Sequence, residues 1–174
     1  MRALITALIL TAFAGPALAA KAPEPLKPID AERFYQGRWF EIGRRPMWIT
    51  DGCVAGTTDY SPGEGGKVAV KDACREGVTA GKEKSIKGQG TILDPGTNAK
   101  LRVRYNLLIS RDYWVFDRAD DYSWFISGDP SFKDLYIFTR DGTVPEAQRS
   151  DLIARAKALG YDVGKLEFPA QPPR

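Results

Sequence analysis

The groups best suited to chemistry in this chain are two cysteines, a pair of adjacent aspartates and a set of aromatic rings, and there is no histidine to serve them. The missing imidazole excludes a Ser-His-Asp or Cys-His nucleophile. It equally excludes zinc, copper or haem held by histidine, and no cofactor is expected. Cys53 and Cys74 flank Pro62-Gly63-Glu64-Gly65-Gly66, a run with strong turn character. If strands flank that turn, the two residues fall nearly opposite each other, and neighbouring strands stand about 5 Å apart, within disulfide reach. A bridge there fits an oxidising compartment and adds roughly 3 kcal/mol in the chain-entropy account. Asp120 and Asp121 precede Tyr122 in a second turn-like stretch. Acid–base catalysis needs two carboxylates facing one substrate across a cleft, whereas adjacent aspartates in a turn serve turn hydrogen bonds. The expectation is a binding protein rather than an enzyme.

The elements that must position these groups are short strands separated by turns. Arg38 to Arg44, Val54 to Tyr60, Lys67 to Cys74, Lys84 to Leu93, Lys100 to Asn106, Asp112 to Phe116, Ser123 to Ser127 and Leu135 to Arg140 are the eight candidates. Alternation is plainest from Lys100 to Tyr105, where Leu101, Val103 and Tyr105 share one face and Lys100, Arg102 and Arg104 the other. Val68 and Val70 repeat the pattern. One helix follows, with Thr143 and Glu146 forming a capping box around Pro145, a stripe of Ile153, Ala156 and Leu159, and Gly160 as its stop. Val163 to Phe168 reads as one more short strand. Eight strands in meander order predict an all-β fold: an eight-stranded up-and-down antiparallel β-barrel, with the helix packed outside. Closure removes the strand edges and leaves room for one small ligand. An open sandwich fits the pattern alone as well.

The ends and the charge narrow the setting. Met1-Arg2, an apolar run from Leu4 to Phe13 and Ala17-Leu18-Ala19 predict a secretory signal peptide over 1–20. Residues 21–28 form a Pro-rich leader, and 29–171 the barrel domain. The net charge of +3, with both signs interspersed, gives no case for nucleic acid.

Gly37-Arg38-Trp39-Phe40-Glu41-Ile42 with Arg44, after a helical turn at Asp30 to Tyr35, resembles the opening signature of the lipocalins. Its form resembles that of the bacterial outer-membrane and apolipoprotein D branch. Cys53 to Tyr60, Val68 to Cys74, Asp112 to Val115, Asp121 to Trp124 and Leu135 to Arg140 resemble successive later segments of that branch, in order. The resemblance implies a periplasmic protein that stores or transports a fatty acid, a lysophospholipid or a similar lipophilic ligand for membrane maintenance. A lipocalin-like isomerase or dehydratase is the alternative. It also implies that Gly37, Trp39 and Arg140 are structural, the arginine lying over the indole. Asp117-Arg118 and Phe125 depart from the family pattern, and imply a more polar and a narrower pocket respectively.

The ligand wall is expected from Tyr60, Val68, Val70, Leu101, Val103, Tyr105 and Tyr136. Trp114 and Trp124 are chosen over their neighbours Tyr113 and Phe125, although alternation does not decide between them. Arg44, Arg45 and Arg104 are candidates for a ligand phosphate or carboxylate at the mouth. Trp48, in the loop that overhangs the mouth in lipocalins, reads as a lid, a homodimer contact, a tip in peripheral contact with a membrane, or a buried anchor.

Overall fold

The computed structural model describes residues 21–25 and 27–172; the signal-peptide reading falls outside them. Eight strands run as β1 (Gly37–Arg44), β2 (Cys53–Pro62), β3 (Val68–Glu76), β4 (Glu83–Ile92), β5 (Lys100–Arg104), β6 (Ser110–Arg118), β7 (Trp124–Gly128) and β8 (Leu135–Thr139). Each pairs antiparallel with the next, and β8 returns to β1 to close the barrel. The open sandwich is thereby excluded.

One end is closed. Asp30 caps a single helical turn, α1 (Ala31–Phe34), its Oδ1 accepting from the amides of Glu32 and Arg33. That turn drives Phe34 into the barrel base, where it meets Trp39 and Phe125 at centroid separations of 5.3 and 4.9 Å. Gly37 enters β1 at φ +68°, a conformation that disfavours a side chain, and so lets the chain swing from α1 into the strand.

The outer face of β6–β8 is also apolar. Helix α2 (Glu146–Ala158) lies there, with Leu152 and Ala156 buried against Trp114, Phe116, Ile126, Leu135 and Ile137. This explains why β7 and β8 read as unbroken apolar runs: both of their faces are covered. The helix departs from expectation at its start. Its cap residue is Pro145, with no side-chain cap bond, so the cap lies two residues beyond the expected Thr143. The buried stripe is centred on Leu152 and Ala156, with Ile153 and Leu159 at its margins. Gly160 does end the helix, at φ +95°. Residues 163–168 are not a strand. They form a short turn of 3-10 helix followed by one bridge, Arg44 to Glu167, on the edge of β1 that β2 pairs only from Gly37 to Phe40; the other edge belongs to β8.

The Pro-rich leader lies along the outer wall. Ala22 donates its amide to Pro130 O at 2.9 Å, and Lys27 Nζ donates to Arg118 O at 3.0 Å. The Cys53–Cys74 disulfide joins β2 to β3 near the open end, with the Cα atoms 5.6 Å apart.

Candidate functional site

Connections 45–52, 77–82, 105–109 and 129–134 surround the end opposite α1. From that end a cavity of about 360 Å³ runs into the barrel, within the range usual for small-molecule sites. Phe125, Phe138, Val70 and Val103 form its base, and Met47, Ile49 and Ile109 line its entrance. The rings of Phe125 and Phe138 stack at 4.9 Å, so the chamber ends on an aromatic layer just above Trp39. Phe125 lies at the floor of the chamber.

Tyr60, Val70, Val103, Tyr105 and Tyr136 stand on the cavity wall. Val68 and Leu101 also point inward, but they are buried in the packed end beneath it. Trp114 and Trp124 do not face the cavity. Trp114 lies under the Lys100 ammonium, 3.9 Å from the ring centre, and Trp124 lies beside the Arg155 guanidinium of α2. Tyr113 and Phe125 take the inward places.

The basic candidates are corrected as well. Arg44 is buried and committed: Nε donates to Glu167 at 2.5 Å, Nη1 to Glu41 at 2.8 Å, and Nη2 to the carbonyls of Thr50 and Cys53. Arg45 turns away to the Phe132 carbonyl. Arg104 lies on the outer face, as its strand's alternation requires. Two guanidinium groups line the cavity, that of the committed Arg44 and that of Arg111, which Asp134 holds at 2.9 Å. Asp117 and Arg118 leave the pocket unaffected. Asp117 pairs with Lys27 and Arg155, and Arg118 donates to Pro28 O. Trp48 is 84% exposed, which excludes the buried anchor; its neighbours Met47 and Ile49 line the entrance instead. Asp120 and Asp121 sit in the β6–β7 turn at the closed end, where Asp121 Oδ1 accepts from the Ser123 amide.

Two carboxylates inside the barrel were not foreseen. Glu41 is buried because a Cβ at Gly56 would stand 2.7 Å from its Oε1, so only glycine admits it there. Burial pushes the Glu41 carboxyl up to about 7, against the pull of Arg44. Unfolded, it would ionise near its ordinary value of 4.5. As pH rises between these values the unfolded chain loses the proton first, so stability present at acid pH is lost, on the order of 3 kcal/mol in all. Glu41→Gln has no proton to lose. The stability gap between wild type and variant should therefore move by about 2–3 kcal/mol in the variant's favour between pH 5 and pH 8. Urea titrations at both pH values measure this, and a constant gap would contradict it. The second carboxylate, Asp72, accepts from Thr58 Oγ1 at 2.7 Å and from the Tyr105 hydroxyl at 2.5 Å.

Comparison with known proteins matches residues 29–171 to a family model described as a lipocalin-like domain. Temperature-induced lipocalin-1 of Arabidopsis thaliana is 30% identical over 160 residues, covering 87% of this chain and 84% of that protein. The outer membrane lipoprotein Blc of Vibrio cholerae is 26% identical over 153 residues, covering 86% and 88%. Among solved structures, insecticyanin from the tobacco hornworm superposes with a TM-score of 0.66 at 17% identity, covering 86% of this chain and 84% of that one. Lobster apocrustacyanin A1 gives 0.60 at 14%, covering 88% and 92%.

Proposed function

Because the chain belongs to the lipocalin-like family, we propose that it holds one small lipophilic molecule in this chamber and stores or carries it, without turnover, for membrane maintenance in a bacterial cell envelope. The observation that carries this reading is the cavity itself: one end of the barrel is packed solid, while the other keeps an aromatic and aliphatic chamber of about 360 Å³. An acyl chain entering it gains about 0.8 kcal/mol per buried methylene, and entropy and desolvation reduce the total to micromolar affinity or somewhat better. Fatty acids and lysophospholipids are the candidate ligands. The envelope setting is supported by relatives named outer membrane lipoproteins. Among the described residues, no helix is long and apolar enough to cross a membrane.

Titration with a fluorescent fatty acid is the direct test. Saturation near one molecule per chain, with the ligand recovered unchanged, is the expected result. Failure to saturate would remove the reading, and conversion of the ligand would favour the enzymatic alternative.

A further inference from the structure

Asp72 projects from the middle of β3 into the chamber, level with Thr58 on β2 and Ile86 on β4. Among the described residues it has no ion-pair partner. The other buried carboxylate of the wall, Glu41, is matched by Arg44, and the wall's Arg111 is already held by Asp134. Lys84, nearer the entrance, donates to Ile49 O. Asp72 is therefore the one wall carboxylate whose charge the surrounding groups leave without a cation.

Its setting is built. Each carboxylate oxygen accepts one hydroxyl, Oδ1 from Thr58 and Oδ2 from Tyr105, and the Tyr105 hydroxyl lies 2.9 Å from that of Tyr113. The Tyr105 ring reaches this position because the facing residue is Gly88, where a Cβ would stand 3.0 Å from it. A carboxylate oxygen accepts about two hydrogen bonds, so each keeps room for another donor. Tyr60, Tyr113, Tyr136 and Phe138 supply aromatic surface in the same chamber. Ring faces attract cations, most strongly when water is excluded.

We propose that the preferred ligand is an amphiphilic cation, a long-chain ammonium whose charged group lies against Asp72 and whose hydrocarbon lies along the chamber's aromatic wall. This rests on the lipophilic-ligand reading and adds a charge and an orientation to it: the head group enters the barrel rather than staying at the mouth. Burial raises the pKa of Asp72 above the ordinary aspartate value, despite its two hydroxyl partners. A bound cation would restore the ionised form.

Three probes with the same decyl chain test it against the purified chain: decylammonium, decanoate and decanol. The ammonium should bind at least about tenfold more tightly than the other two, as a charge-assisted contact in a dry site requires. Asp72→Asn loses the charge but keeps one acceptor oxygen for one of the two hydroxyls, while its NH2 can donate to the oxygen of the other. It should lose the ammonium preference while its decanol affinity stays within about threefold. Lysophosphatidylethanolamine identifies the source: a loss of its affinity in Asp72→Asn marks a lipid head group as the cation, and no change marks a free amine. Equal binding of all three probes by the wild-type chain overturns this inference and leaves the lipophilic-ligand reading standing, whether or not the variant folds. So does an ammonium preference that survives in Asp72→Asn. Binding of none of the three overturns both.

Discussion

Trp39→Ala is expected to lower the free energy of unfolding by about 4 kcal/mol, the range for removing a large buried ring. Trp39 has no solvent exposure. It meets Phe125 edge-on at 4.7 Å, and its Nε1 donates to Phe34 O at 3.3 Å. The Arg140 guanidinium lies 3.6 Å over the ring, while Arg140 Nη1 donates to Gln36 O and Arg38 O at 2.9 and 3.0 Å. The indole thus seats the arginine that ties the end of β8 to the entry of β1, which is where the barrel closes. Its loss leaves a void under Phe34 and a half-buried cation without its ring. Arg140→Lys keeps the charge but loses the planar fork, and should cost less, about 1–2 kcal/mol. Urea unfolding followed by circular dichroism measures both. A loss under about 1 kcal/mol for Trp39→Ala would mean that the closed end is held by something else.

The closed end was legible through the family resemblance, which marks Gly37, Trp39 and Arg140 and the helical turn before them; residue types alone did not pair the arginine with the indole. The inward face of β5 was legible because its other face is wet, so Leu101 and Val103 alternate with Arg102 and Arg104. Alternation fixes a face but not a depth, and Leu101 therefore fell in the packed end rather than on the chamber wall. On β6 and β7 even the face was hidden. With α2 covering the outside, Tyr113 and Trp114, like Trp124 and Phe125, are apolar neighbours with no polar phase to order them, and the register shifts between Val115 and Asp117. Arg44 looked free because one partner, Glu167, lies 123 residues away, and strict alternation would put the other, Glu41, on the opposite face, whereas the register of β1 shifts between Glu41 and Gly43. Asp72 was within reach, since Val68 and Val70 fix the inward phase of β3 and a period of two carries it to Asp72.

Phe125→Ala should couple stability to ligand length. The ring is almost wholly buried between Trp39, Phe34 and Phe138, and it forms the base of the chamber. Truncation should cost the empty protein about 3–5 kcal/mol, because the rigid rings around it cannot collapse into the gap. That gap, unlike the one left at Trp39, opens into the chamber, so a ligand can fill it. The chain length that binds best should then increase by about two to four methylenes, each further buried methylene adding roughly 0.8 kcal/mol. Part of the lost stability should return when the longer ligand is bound, since a ligand that binds only the folded state stabilises it by mass action. Melting the variant with and without a series of straight-chain probes separates the two effects. Equal length preferences in wild type and variant would place the end of the ligand above Phe125, and would remove this ring from the account of what sets the chamber's depth.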